Sequence, residues 1–361
     1  MESILQMINR LFNPVAFFAL TLALFWVMIR FREKWTEPKF ALRILAGCVA
    51  ALGTAFLNAP FRELIVRADN TAAILLFFAV GFFVWLSFRQ AVVNDRRIAR
   101  GLAPVEKETS EKKVFVWPEL VFIEFITVII ACVALALWSL LQQAPLEAPA
   151  DPTFTPNPAK APWYFLGLQE MLVYFDPWLA GVVFPVLIIL GLMAIPYLDR
   201  NPKGSGYYTF NERRGAITGF LFGLLAIWMP LLFYGTFLRG PNWNFFGPFE
   251  PWDTAKVAAL ANVNLSEVVW VQWLHLGLPQ NPFFREIWGI LILGAYFISL
   301  PPFLTRRIPV FFGLLRSLGT LRYVILIYLM LLMMSLPVKM VLRWLFNLKY
   351  IVNLHEYFLN I

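Results

Sequence analysis

The chain has 361 residues, of which 60% are hydrophobic and 14% charged, with a formal net charge of +8. Soluble domains carry about a quarter charged residues, so this composition excludes an ordinary soluble domain. The positive balance does not mark nucleic-acid binding, because the basic residues sit in short loops beside apolar runs, where they orient a membrane protein.

Apolar windows of about 20 residues, enough at about 1.5 Å per residue to cross a hydrocarbon core of about 30 Å, lie near 11–30, 41–60, 71–89, 118–142, 179–198, 215–238, 284–305 and 320–346. Backbone polar groups in lipid must be paired within the segment, and runs this long without alternation are helices rather than barrel strands. The fold class expected is therefore all-α, a polytopic membrane protein of eight spans. Both cysteines, Cys48 and Cys132, fall inside predicted spans, which speaks against a disulfide framework and suggests core packing. The chain has no Cys-x-x-Cys-His, so no covalent haem attachment is expected.

Residues 1–92 form a three-span N-terminal block without a chemical motif. Its first dozen residues place Ile4, Leu5, Ile8 and Leu11 on one helical face and carry no small-residue cleavage signal, so they are read as an interfacial lead-in to the first span. Residues 93–116 alternate basic and acidic side chains, among them Arg96, Arg97, Glu106, Glu111, Lys112 and Lys113, and predict a solvated linker. A three-span block follows at 117–238, opening on Trp117-Pro118-Glu119, with Pro118 suited to the first turn of a helix. Glu119 and, about a turn further in, Glu124 are candidate contacts for a quinone or a proton entering from that side; the alternative for Glu124 is a carboxylate that snorkels to water.

The segment after the fourth span is rich in proline (Pro152, Pro156, Pro158, Pro162) and carries one basic residue, Lys160. Each proline fixes its own φ and restricts the residue before it. Ala161-Pro162-Trp163-Tyr164-Phe165 then opens a short helical pattern in which Trp163, Gly167 and Glu170 share a face. Tyr174, Phe175 and Trp178 extend an aromatic edge that could equally be an interfacial belt. Residues 239–283 form a long loop rich in aromatics, proline and glycine, in which Ser266 is a candidate cap for a short helix bearing Trp270, Trp273 and His275. Residues 284–361 hold two further spans and a tail with His355. About two thirds of the 30 Lys and Arg residues fall on the side of the loops after spans one, three, five and seven, so the positive-inside bias puts that side in the cytoplasm. Both termini and the Trp163 segment are then expected on the outer, positive side.

From Trp117 to about Leu238 the order of marks resembles the C-terminal half of cytochrome b, the subunit IV half of split quinol:cytochrome c oxidoreductases. The marks are Trp117-Pro118-Glu119, Ala148-Pro149-Ala150-Asp151-Pro152, the Pro162-Trp163-Tyr164-Phe165 motif with Gln169, and Ile195-Pro196-Tyr197-Leu198-Asp199. The resemblance implies that Pro162, Trp163, Tyr164 and Phe165 line an outer-side quinol-oxidation pocket, with Tyr164 orienting the quinol oxygen. It also implies haem b, c-type haem and an iron-sulfur cluster on partners: a haem-b-bearing cytochrome b N-terminal half, a Rieske-type iron-sulfur protein and a c-type cytochrome. With His275 and His355 alone, this chain lacks the paired histidines that two haems b require. The implied setting is the inner membrane of a bacterium. The family's acid before Trp is replaced here by Pro162, which makes Glu170 the candidate base for the quinol protons. Two other readings fit an eight-span haem-free chain, a quinone-binding anchor of another respiratory reductase and a purely structural assembly subunit. A secondary transporter is disfavoured by the lack of an internal repeat and of paired broken spans.

Overall fold

The structure is a computed structural model that describes residues 2–109, 114–142, 149, 151–200, 206–257, 262–357 and 359–361. Among these, seven helices are long and apolar enough to cross a membrane, and a bent pair supplies an eighth span. The chain is thus an all-α, multi-pass membrane protein. Apart from two isolated bridges, strand pairing among the described residues is limited to a short antiparallel contact of Asn353–Leu354 with Leu359–Asn360 in the tail.

The bent pair is the first span and its lead-in. Helix Glu2–Leu11 meets helix Pro14–Arg30, and the axis turns by 75° between Leu11 and Pro14. The turn follows from local chemistry: the Asn13 side chain accepts a hydrogen bond from Ala16 N at 3.0 Å, and Pro14 occupies the first helical position, where its missing N–H costs nothing. Span two is Pro38–Ala55. Span three, Ala68–Ala99, runs ten residues beyond the apolar window that ended near 89, so residues 93–99 of the predicted linker are helix. Hydropathy marks where lipid contact ends, whereas the helix continues as long as its residues tolerate it. That extension is anchored: Asn94 donates to the carbonyl of Tyr208 at 2.8 Å, and Asp95 accepts from the Thr209 hydroxyl at 2.6 Å. Glu111, Lys112 and Lys113 of the linker, and Ala148 and Ala150 of the proline-rich approach, lie outside the described residues.

Spans four to eight are Val116–Leu141, Leu179–Leu198, Arg214–Leu238, Ile287–Arg307 and Thr320–Phe346. Burial is unevenly shared among them. None of the residues of span two or span four is buried, while spans six and eight contribute more buried residues than any other span. Cys48 and Cys132, expected to pack inside, are exposed on those two outlying spans. The main core gathers Met171, Tyr174, Phe175, Leu231, Tyr234, Phe237, Leu238, Leu336 and Met340. It therefore sits at one end of the bundle, where the ends of spans six and eight meet the segment after span four.

A glycine permits that meeting. A Cβ on Gly235 would stand 2.7 Å from the carbonyl oxygen of Leu166, so only glycine lets the short helix Leu166–Met171 lie directly on span six. In the loop after span six, Glu267–Trp273 forms a helical turn whose interior buries Val269 and Trp270. Ser266 makes no capping hydrogen bond, contrary to expectation; instead the Glu267 carboxylate accepts from Asn264 N at 3.3 Å.

Candidate functional site

The Trp163 turn is held from both sides. Trp163–Phe165 forms one tight turn after Pro162, closed by Phe165 N donating to the Pro162 carbonyl at 2.8 Å. Gln169, three residues into the short helix, reaches back over the approach: its Oε1 accepts from Ala161 N and its Nε2 donates to the Ala159 carbonyl, both at 2.8 Å. One amide side chain thus fixes the two peptide groups that flank Lys160. Upstream, Asn157 Oδ1 accepts from Asn242 N at 2.6 Å, tying the approach to the loop after span six.

The three aromatics divide their faces. Trp163 is half-buried against the core, with its ring edge-on to Tyr164 at 5.6 Å between centroids. Tyr164 and Phe165 pack on each other at 4.7 Å yet remain 52% and 49% exposed. Pro162 is also exposed. The turn therefore presents a rigid apolar surface with one phenol hydroxyl, open on the side away from its own chain.

Glu170 lies behind this surface rather than on it. The carboxylate of this candidate base is fully buried, and its two oxygens grip Arg239: Oε1 accepts from Nη2 at 2.7 Å and Oε2 from Nε at 2.9 Å. Oε1 also accepts from the Tyr174 hydroxyl at 3.0 Å, and Arg239 Nη1 donates to the Trp243 carbonyl at 2.9 Å. A bidentate guanidinium–carboxylate pair is the strong form of such a contact. Burial opposes the Arg239 charge, but Glu170 beside it outweighs burial and holds the guanidinium above its ordinary range. Burial, reinforced by the Glu170 charge, raises the Tyr174 phenol above its usual value. Arg239 escaped the sequence reading because, as the first residue after an apolar run, it counted as a loop charge.

Lys160 completes the cluster. Its Nζ donates to the Thr236 carbonyl at 2.9 Å and stands 5.1 Å from the centre of the Trp252 ring, whose face is also taken by Arg67 at 4.3 Å. Burial first, then the Arg67 and Arg239 charges, push the Lys160 ammonium down to about 7, with Glu170 pulling the other way. The site thus holds one group that changes charge near neutrality.

Glu119 and Glu124 are not brought to this cluster. Both are exposed on span four, at the end opposite Gln142, whose Nε2 meets the Thr71 hydroxyl at 3.2 Å. Span four is 26 residues long, so about 26 Å of helix separates Glu124, and about 33 Å separates Glu119, from that end. His275 and His355 are exposed in the loop after span six and in the tail. A wide apolar cleft of about 1510 Å³ lies between spans two and three, walled by Leu45, Cys48, Phe77, Phe82 and Phe237. Its lining does not include the Trp163 turn, so it is a separate feature.

Residues 149–245 match the family model for Cytochrome b(C-terminal)/b6/petD. The match begins after span four and ends beyond Arg239, so it takes in the Trp163 turn, Glu170 and its partner. Among curated proteins, the chain is similar to the menaquinol:cytochrome c reductase cytochrome c subunit of Geobacillus thermodenitrificans, 32% identical over 120 residues, covering 31% of this chain and 48% of that protein. It is also similar to the protein of the same description from Bacillus subtilis (strain 168), 31% identical over 122 residues, covering 31% of this chain and 47% of that protein. The chain spans about half the length of the curated relatives it matches. No solved structure matches it. The stretch that builds the site, residues 149–245, thus matches the family that the order of its proline and aromatic marks had suggested.

Proposed function

We propose that the chain is a haem-free membrane subunit of a quinol:cytochrome c-type oxidoreductase. Its Trp163-Tyr164-Phe165 turn forms one wall of the outer-side quinol-oxidation pocket. The observation that carries this reading is the turn itself, clamped by Gln169 yet leaving Tyr164 and Phe165 half open, within the segment that matches the family. A flat apolar wall with one hydroxyl suits a quinol ring, which needs broad apolar contact and few polar groups to orient it.

In this proposal Pro162, Trp163 and Phe165 shape the wall, and the Tyr164 hydroxyl orients a quinol oxygen. Glu170 holds the wall in place through Arg239, because three hydrogen bonds already occupy its oxygens. Proton acceptance then falls to a group the partner supplies, or to Lys160, whose charge changes near neutral pH. The partner is a haem-b-bearing cytochrome b N-terminal half, which closes the open side of the turn. A Rieske-type iron-sulfur protein and a c-type cytochrome carry electrons onward, and the complex lies in the inner membrane of a bacterium. The chain's task is positioning, while redox chemistry belongs to the quinol and to cofactors on the partners.

The test is purification of the chain with its native neighbours from membranes. The expected result is haem b absorbance that co-purifies with it and is reduced by added quinol. A complex without haem b would overturn the proposal and favour a quinone-binding anchor of another reductase or a purely structural subunit.

A further inference from the structure

The end of span eight on the Trp163 side carries a second charge cluster that the quinol site does not use. Lys339 is 1% exposed, and its Nζ has no hydrogen-bond partner among the described residues. The nearest favourable contact is the Phe175 ring at 5.8 Å, close to the limit at which a ring face attracts a cation. One turn further along the same helix face, Arg343 is buried too. Its Nη1 donates to the Asn347 carbonyl at 3.0 Å and its Nη2 to Asn262 Oδ1 at 2.5 Å. Both acceptors are neutral, so the charge is solvated but not balanced.

Lys349, just past the helix end, adds a third cation. Burial and then the Arg343 charge push its ammonium below the ordinary lysine value, with Asp176 acting the other way. Asp176 is the carboxylate that faces the cluster, and its oxygens already accept from Trp178 N at 3.1 Å and from Asn360 Nδ2 at 3.2 Å. Glu170 does not help, because Arg239 holds both of its oxygens. Among the described residues, three cations therefore converge against one carboxylate, and the deepest of them has no hydrogen-bond partner. Buried charges persist when paired, and an unpaired one is costly.

We propose that Lys339, Arg343 and Lys349 form a binding site for a phosphate-type anion, either the headgroup of an anionic phospholipid or inorganic phosphate. A tetrahedral anion has enough oxygens to meet two ammonium groups and a guanidinium at once. The end of a membrane span lies at the level of the headgroup layer, where such anions are concentrated. The site is independent of the quinol-pocket reading and stands on span eight and the tail, outside the family-matched segment.

The test uses the full chain, purified with its native neighbours and stripped of lipid, and follows thermal unfolding. Inorganic phosphate alone, phosphatidylglycerol in mixed micelles and phosphatidylcholine in mixed micelles are added separately. The expected result is a rise in unfolding temperature with phosphatidylglycerol or phosphate that phosphatidylcholine does not match. A response to phosphate identifies the free anion as sufficient, and a response to phosphatidylglycerol alone identifies the headgroup. Lys349→Gln should weaken the apparent affinity about fivefold, the effect of about one surface charge, and Lys339→Met should remove the response. Lys349→Gln lies outside the core and keeps the test decisive if Lys339→Met folds poorly. No response of the unsubstituted chain to either anion, or an equal response in both variants, would overturn the proposal.

Discussion

Removing either member of the Glu170–Arg239 pair strands the other charge in a buried setting, at a cost of about 3–5 kcal/mol. Glu170→Gln and Arg239→Met should each lower stability by about that much in chemical denaturation. Glu170→Leu combined with Arg239→Met should cost less than either single change, since no charge is left without a partner. The pH profile of quinol oxidation by surviving Glu170→Gln complexes should keep its shape if the carboxylate only braces the wall; a lost limb would make Glu170 the proton acceptor after all. Lys160 gives the opposite kind of signature. Its folded-state value of about 7 lies below the ordinary lysine value of 10.5. Between those two values the unfolded chain binds the extra proton, so stability should rise as pH climbs from about 7 towards 10. Below 7 both states are protonated, and the full penalty of burying the charge remains. Thermal unfolding measured across pH should show this rise, and Lys160→Met should flatten it.

Among elements, the approach of the short helix Leu166–Met171 to span six decides whether the Trp163 turn has a floor. Gly235→Ala would drive a methyl group to within 2.7 Å of the Leu166 carbonyl, a backbone atom that cannot swing aside. Overpacking of this kind costs about 1–3 kcal/mol. Because the strain falls on the helix carrying Gln169 and Glu170, quinol oxidation should fall with stability; a variant of normal stability and rate would show that the two helices can part without consequence. Spans two and four behave differently. With none of their residues buried, they depend on lipid or on other subunits for their packing, and substitutions on them should leave the stability of the core largely unchanged.

At the scale of the molecule, the eight spans were readable in the sequence because each is a long apolar run, and lipid demands that its backbone be paired internally. The Trp163 turn was readable because prolines and adjacent aromatics mark a local bend. What escaped was everything that depends on residues distant in sequence. Arg239 lies 69 positions from Glu170, and no periodicity links them. Lys339 is one of three charges in a 27-residue apolar helix, diluted by its neighbours in any hydropathy window. The exposed faces of Cys48 and Cys132 were misjudged because an apolar span says nothing about which of its sides meets protein. Ser266 failed as a cap because its backbone is already helical, at φ −58° and ψ −41°, so it lies inside the turn rather than at its start.

The first residues of the chain also touch the site. The Tyr234 hydroxyl donates to the Pro14 carbonyl at 2.9 Å, and Phe249 N donates to Asn9 Oδ1 at 3.1 Å. During synthesis the lead-in helix and first span leave the ribosome well before residues 234–249 exist. At about 5–20 residues per second the wait is on the order of ten to fifty seconds. The contacts of Tyr234 and Phe249 therefore close onto a segment made 220 or more positions earlier, which waits in the bilayer until its partners are made.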